Sequence, residues 1–344
     1  MAWTWVLTDS SGNALAELAN ADGRTLRFKR NTPAEASCTV SHDDPETIEV
    51  LTANMPRLKC YRDETLRFHG ALSSIDEQAD TQASQVVLNF VHPDKLLATR
   101  FTTSTHAATD AGTIAWTLIN SANSDDDTGI RQGTINTTKS RTREYRFKQV
   151  LEAIQQLTAV LDGFDYEVVA TEDADDAAEL GTITVWQAQG SDQSDARFEY
   201  GAGTLANCSS VTRQLLPPVN AVTLEGENGL TVTVTDAASI TLYGRYDIFE
   251  SRTDIADQAT LTERAREKLR ITPVRILQFT PDPKLAPAPF TGYFLGDTVR
   301  FAANRNALDI PEMTPRVQSI EIRIDSSGNE SDHVIGIDDQ DATL

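Results

Sequence analysis

The chain has 344 residues, with 30 basic and 51 acidic side chains, a net charge of -21 and 40% hydrophobic residues. That length exceeds one ordinary core and predicts two to four packed units, while no apolar run approaches the ~20 residues of a bilayer span. The acidic balance argues against nonspecific nucleic-acid binding, because phosphate contacts are supplied by Lys and Arg. The opening Met1-Ala2-Trp3-Thr4-Trp5 has no basic segment followed by an apolar one, so a cytoplasmic, soluble chain without stable membrane association is expected. Cys38, Cys60 and Cys208 are odd in number and widely spaced, which fits buried thiols better than a disulfide framework or a metal knuckle.

Along residues 1–95, apolar and polar positions alternate, as in Leu26-Arg27-Phe28 after the turn Asp22-Gly23. Period two punctuated by turn residues predicts strands, here at 36–40, 57–61, 66–75 and 85–91, with Leu26, Phe28, Leu66, Phe68 and Val87 facing one interior. Beyond His92-Pro93, Ile114, Leu118 and Ile119 stand at helical spacing. The strongest helical pattern covers 147–161, where Val150, Leu151, Ile154, Leu157, Val160 and Leu161 share one face and Gly163 supplies the stop. Residues 164–169 and 182–186 read as a strand pair around the acidic loop 171–179. From 162 to 199 the sole basic residue is Arg197, so that loop is expected to be mobile and electrostatically unpaired.

After Pro217-Pro218, residues 219–225 and 230–235 read as a hairpin across Gly226-Glu227-Asn228-Gly229. A charged amphipathic helix follows at 257–270, then the Pro-rich stretch 281–289. The segments 297–301, 316–324 and 333–337 alternate again and predict strands.

Candidate chemistry is sparse. Gly201-Ala202-Gly203-Thr204-Leu205-Ala206 has the loose form of a dinucleotide fingerprint, but the following Asn207-Cys208-Ser209-Ser210-Val211 does not start a helix that could face a pyrophosphate. Asp125-Asp126-Asp127, Asp173-Ala174-Asp175-Asp176 and Asp338-Asp339-Gln340-Asp341 lack the Gly and terminal Glu of an EF-hand loop and read as solvated loops. His42 stands beside Asp43-Asp44, whereas His69, His92, His106 and His333 read as isolated. No catalytic residue, cofactor site or metal site is assigned. The Asn-x-Ser/Thr sites at Asn136, Asn207 and Asn329 matter only in a secretory pathway.

Several stretches together resemble the baseplate-hub or minor tail proteins of long-tailed phages, relatives of the hubs of contractile injection machines. In the first part they are Trp5 to Leu7, Asn20-Ala21, the strand 26–31, Asp44-Pro45, Tyr61-Arg62-Asp63 and Phe68-His69-Gly70. Residues 112–120, Thr128-Gly129-Ile130 with Gly133, Leu151-Glu152-Ala153-Ile154 and Gly163-Phe164-Asp165-Tyr166 follow. Then come Tyr243-Gly244, Asp257-Gln258-Ala259 and Leu295-Gly296-Asp297-Thr298-Val299. The order of the pieces carries the resemblance.

The resemblance implies a mainly β fold with α+β insertions: two hub-type β-barrels plus peripheral mixed α/β domains. The expected division is 1–95 as a first barrel, 96–216 as an α+β domain, 217–236 with 290–344 as a discontinuous second barrel, and 237–289 as an inserted helical domain. In that arrangement strands 219–235 pair with those after Gly292. The implied function is that of a non-enzymatic virion tail protein, a homotrimer joining the hexameric tail tube to the tip. Its implied partners are the distal tail or tube protein, the tape measure protein and tip or fibre proteins. Genome DNA would only pass through the channel. A cell-wall or polysaccharide hydrolase and a receptor-binding adhesin are the alternatives; scattered Trp3, Trp5, Trp116 and Trp186 argue against an aromatic adhesin platform.

Overall fold

A computed structural model describes the chain except Met1, Leu161, Ala177, Leu344 and residues 42–43, 45–55, 80–83, 173–175, 202–204, 253–254 and 306–307. The side chains of 78, 79, 84, 275, 305, 308 and 338–343 are likewise outside the description. The fold is mainly β. The first strands are β1 (Trp3–Thr8), β2 (Ala14–Glu17), β3 (Asp22–Lys29), β4 (Thr32–Ser41), β5 (Arg57–Arg62), β6 (Thr65–Ala79) and β7 (Ser84–Val91). A 3-10 turn (Pro93–Thr99) leads to β8 (Phe101–Asp110), α1 (Ala111–Asp125), β9 (Ile130–Asn136), β10 (Ser140–Gln149), α2 (Val150–Thr158), β11 (Asp165–Ala170) and β12 (Gly181–Trp186). Next come β13 (Asp192–Gly201), β14 (Cys208–Leu216), β15 (Ala221–Glu225), β16 (Thr231–Thr235), α3 (Ala237–Tyr243), β17 (Asp247–Ser251) and α4 (Gln258–Glu267). Finally β18 (Val274–Pro281), β19 (Thr298–Arg305), β20 (Leu308–Ile324) and β21 (Glu330–Thr343) close the chain.

One 13-stranded sheet organises the molecule. Its first half runs β3-β4-β7-β6-β5-β1-β2, its second half β13-β19-β20-β21-β18-β14, and β20 pairs antiparallel with β3 to join them. Both halves line one apolar core, with Trp5, Leu26, Phe68 and Phe90 from the first and Phe198, Phe279, Phe301 and Ile335 from the second. Alternation predicts this burial correctly for Leu26, Phe28 and Phe68. For β7 it slips by one: Val86, Leu88 and Phe90 point inward, and Val87 lies on the other face. An unbroken apolar run, Val86-Val87-Leu88, leaves parity undetermined by composition alone. Leu66 is half-buried and lines a cleft beside the core.

Among the described residues neither half closes its hydrogen-bond ladder, because consecutive β2 and β3, and consecutive β13 and β14, do not pair. Buried polar side chains occupy both gaps. The Arg24 guanidinium donates to the carbonyls of Leu18 and Ala19, each at 2.5 Å, and to that of Asp325 at 3.3 Å. Asn207 accepts from the Glu199 N–H and donates to the Arg197 carbonyl, both at 2.8 Å, doing for β13 what a neighbouring strand would do.

Two smaller units sit on this sheet. In the first, strands β11-β12-β9 pack with α1 and α2 around Ile114, Leu118, Ile154, Leu157 and Ile183. Helix α1 begins at Asp110, whose carboxylate accepts the Thr113 N–H at 2.9 Å. A two-stranded ribbon, β8 with β10, flanks it. In the second unit, β16-β15-β17 covers one face with α4, burying Val222, Leu224, Val232, Leu261 and Ala265.

This pairing corrects the expected layout of the C-terminal half. Strands in 219–235 pair with β17, not with strands after Gly292, because their apolar face is filled by Leu261 and Ala265 of the nearby α4. The strands that complete the second half are instead β13, β14 and β18, from segments expected in other domains. Helix α2 is also shorter than its apolar pattern: Phe147 belongs to β10, and the helix starts at Val150.

Candidate functional site

Three polar nodes stand out, one within the large sheet and two where it meets the α+β unit. At the first, the Arg62 guanidinium at the end of β5 donates to Glu330 at 2.5 Å and to the Pro289 carbonyl at 2.5 Å, and stacks 5.4 Å from the Phe290 ring. Glu330 also accepts the Trp3 indole N–H at 2.9 Å and lies 2.8 Å from His333 Nε2. Burial would raise the Glu330 pKa, but these donors outweigh it and hold the carboxyl down at about 2. One carboxylate thus ties β1, β5 and β21 together.

The second node is Asp165, 4% exposed at the start of β11. It accepts from Arg30 Nε at 3.1 Å, Asn31 Nδ2 at 3.0 Å, the Gln189 N–H at 2.9 Å and Arg316 at 2.8 Å. Burial opposes its charge; the Gln189 N–H, Arg30, Asn31 and Arg316 prevail, and its pKa is lowered. Arg316 also donates to the carbonyls of Gln189 and Gly296. Beside it two loops cross so closely that a Cβ on Gly190 would lie 2.1 Å from the Gly296 carbonyl carbon. Both glycines have positive φ, +92° and +82°, which an L side chain rarely adopts. Asp297 finishes the crossing by accepting the N–H groups of Ser191 at 2.7 Å and Phe294 at 2.8 Å. The Gly-Asp-Thr-Val motif is therefore a lock between β13 and β19.

The third node corrects the reading of the 171–179 loop as unpaired. Glu172 accepts from Lys59 at 2.5 Å and Tyr61 at 3.0 Å, and Asp176 pairs with Arg131 at 2.7 Å. The cations come from distant β5 and β9, which is why a local charge count misses them. His69 Nδ1 lies 3.3 Å from the Thr171 carbonyl, and burial pushes this imidazole down to about 4. The tip at 173–175 lies outside the described residues.

Between nodes two and three lies a cleft of about 260 Å³ with Phe28, Phe290 and Phe294 on one wall and Glu167, His92 and Asp94 on another. The rings meet at 4.7–5.6 Å. Glu167 accepts from Gln189 Nε2 at 2.8 Å; burial raises its pKa to about 7, with Asp94 adding to the rise. Arg67 stacks on Phe290 at 4.7 Å.

The remaining candidates resolve individually. His92 is not isolated, since its Nδ1 lies 3.3 Å from Asp94, and His333 meets Glu330; both carboxylates stand two or three residues away and were visible as sequence neighbours. His106 Nε2 lies 3.1 Å from Ser104 Oγ, and burial lowers its pKa, but no carboxylate orients it among the described residues. The stretch after Gly201 leads into strand β14, not a helix; 202–204 lie outside the described residues, as do His42 and Asp43. Asp126 and Asp127 pair with Arg100 and Arg131. Asp338 to Asp341 fall within β21, their side chains outside the description. All three thiols are buried, and burial raises their pKa values. Among the described residues no three His, Cys, Asp or Glu side chains converge as a metal site. The arrangement is therefore chemistry for holding units together: buried charges satisfied by partners from far along the chain.

No protein-family model and no curated protein sequence matches the chain. Solved structures do. The tail protein from Neisseria meningitidis MC58 superposes with a TM-score of 0.60 at 9% identity, over 98% of this chain and 97% of that one. The 43 kDa tail protein of prophage MuSo2 from Shewanella oneidensis gives 0.58 at 12% identity, over 97% and 98%. Prophage tail protein gp18 from Listeria monocytogenes EGD-e gives 0.54 at 12% identity, over 98% and 95%. The fold is that of phage tail proteins. The likeness runs essentially end to end, so it includes both halves of the large sheet and both attached units.

Proposed function

We propose that the chain is a non-enzymatic structural subunit of a phage tail baseplate, acting as a hub at the tail tip. The full-length likeness of its fold to phage tail proteins carries this reading. In finer terms, three subunits close into a ring, and each contributes the two successive halves of its sheet, so a trimer offers six similar faces to a hexameric tail tube. The continuity of the sheet through β3 and β20 supports that role, because it fixes the spacing of the two halves within one subunit. Closed cyclic symmetry would also cover strand edges left open in a monomer. The tube or distal tail protein, the tape measure protein and tip or fibre proteins are the partners of the two ring faces. DNA passes through the lumen without ordered contacts, and the net charge of -21 suits a conduit that must not retain it. The two attached units form the periphery.

A three-dimensional reconstruction of the assembled tail tests the proposal. Three copies at the distal end of the tube are expected. Six copies, or copies confined to the outer surface, would overturn the hub assignment. A zymogram against host cell walls separates the hydrolase alternative, for which clearing is required; none is expected here.

A further inference from the structure

The cleft between the second and third nodes differs from the nodes themselves, because its charges are not matched within the chain. Asp94 is 2% exposed, and its Oδ1 accepts no hydrogen bond among the described residues, although His92 Nδ1 lies 3.3 Å away. A buried carboxylate oxygen without a donor is costly to fold around. Glu167, on the same wall, holds one donor, Gln189 Nε2, and feels Asp94 as a like charge. That wall is rich in acceptors and short of donors.

The phenylalanine wall carries cations that are equally unmatched. Arg67, stacked 4.7 Å from Phe290, and the exposed Lys29, which follows Phe28 in β3, both line the cleft. Among the described residues neither forms an ion pair, so neither reaches Asp94 or Glu167 across the gap, and Arg67 Nε is buried without a partner. Phe290 itself is held at φ +65°, with its N–H donating to the Tyr293 carbonyl at 2.8 Å. Strained backbone of this kind persists where the surroundings fix it, and it concentrates at ligand clamps. The wall is therefore preformed. A volume of about 260 Å³ stands at the small end of ligand pockets, which run roughly 300–1,000 Å³, so the occupant is small.

We propose that this cleft binds a basic amino-acid residue with a free carboxylate. Its ammonium or guanidinium meets Asp94 and Glu167, its carboxylate meets Arg67 and Lys29, and its methylene stem lies along Phe28, Phe290 and Phe294. A cation alone would leave Arg67 unmatched, and an anion alone would leave Asp94 buried without a donor. A ligand with both signs joined by an apolar stem matches each group. Every contributing residue comes from one chain, so the site is independent of ring closure. Free lysine or arginine and the C-terminal residue of a peptide offer the same chemistry.

Titration calorimetry and thermal midpoints of the full chain test this with L-arginine, L-lysine, the tripeptide alanyl-alanyl-lysine and the C-terminal amide of that tripeptide. Saturable binding with a raised midpoint is expected for the carboxylate-bearing probes, and binding about tenfold weaker for the amide. Within a positive result, tighter binding of the tripeptide assigns the site to a chain terminus, and tighter binding of a free amino acid assigns it to a metabolite. Asp94→Asn should lower affinity about tenfold while leaving the midpoint without ligand equal or higher, since it removes a buried charge that lacks a donor. Arg67→Met, which keeps an apolar stem over Phe290, should also lower affinity about tenfold. No binding of any probe, equal binding of the amide, or unchanged affinity in either variant overturns the inference.

Discussion

Replacing Asp165 by Ala removes the acceptor shared by Arg30, Asn31, Gln189 and Arg316 at the point where the α+β unit meets both halves of the sheet. Two guanidinium groups then lose their shared carboxylate, with side-chain exposures of only 19% and 15%. Breaking a buried pair by deleting one partner costs about 3–5 kcal/mol. Arg30 and Arg316 keep some access to water, so the lower part of that range, about 3 kcal/mol, is expected. Asp165→Asn should cost less, about 2 kcal/mol, since it retains a hydrogen-bonding oxygen and loses only the charge. Denaturant unfolding followed separately by fluorescence and by hydrogen exchange of β11 would measure both. The loss should concentrate in the α+β unit and its seam. A fall below 1 kcal/mol for Ala would refute the view that this carboxylate clamps the units together. The sign with pH is also fixed. Because the folded pKa lies below the ordinary 3.8, the stabilisation is complete above that value and disappears as pH falls through the folded pKa, so wild type and Asp165→Ala should converge in strong acid.

Glu167 should behave in the opposite sense: raised to about 7 by burial, it favours the fold most below its ordinary 4.5, and that contribution is lost as pH rises through about 7. Glu167→Gln should therefore stabilise the protein by roughly 1–3 kcal/mol at pH 8 and change little at pH 4, as read from midpoints across that range. Gly190→Ala should destabilise by more than about 3 kcal/mol, since its Cβ meets backbone at Gly296 and its φ is unfavourable; a thermal midpoint equal to wild type would disprove the tight crossing. Truncating the fully buried Phe68 to Ala should cost about 3–5 kcal/mol, and a measured loss well under 1 kcal/mol would contradict its place in the core.

Much of the local structure was legible because it is written in neighbouring residues. The alternation of Leu26 and Phe28, the apolar face from Val150 to Leu157, and Asp257 capping α4 through the Thr260 N–H all follow from patterns a few residues long. Strand partners were not legible in that way. The hairpin at 221–235 and strands β13 and β14 have similar half-buried textures, and only the helix available to cover the former decides that it leaves the large sheet. The ribbon strand β8 was missed because Thr, Ser and Ala from 101 to 110 give little apolar contrast. Phe147 was placed at the start of a helix because hydrophobicity cannot report a bulge that turns a ring toward water. The nodes were invisible for a different reason. Arg62 and Glu330 are separated by 268 positions and Asp165 and Arg316 by 151, and no local charge pattern couples them.

The junction of β3 with β20 also has a mechanical meaning. The two halves of the sheet are joined by a backbone ladder running from Ser319 opposite Lys29 to Ile324 opposite Arg24, not by a linker. A pull that slides one half past the other along the strands loads those hydrogen bonds together, whereas a flexible tether would simply extend. The chain should thus transmit force as one stiff plate. In the hub proposed above, any movement of the tail would then be displaced onto the contacts between subunits and onto the two attached units.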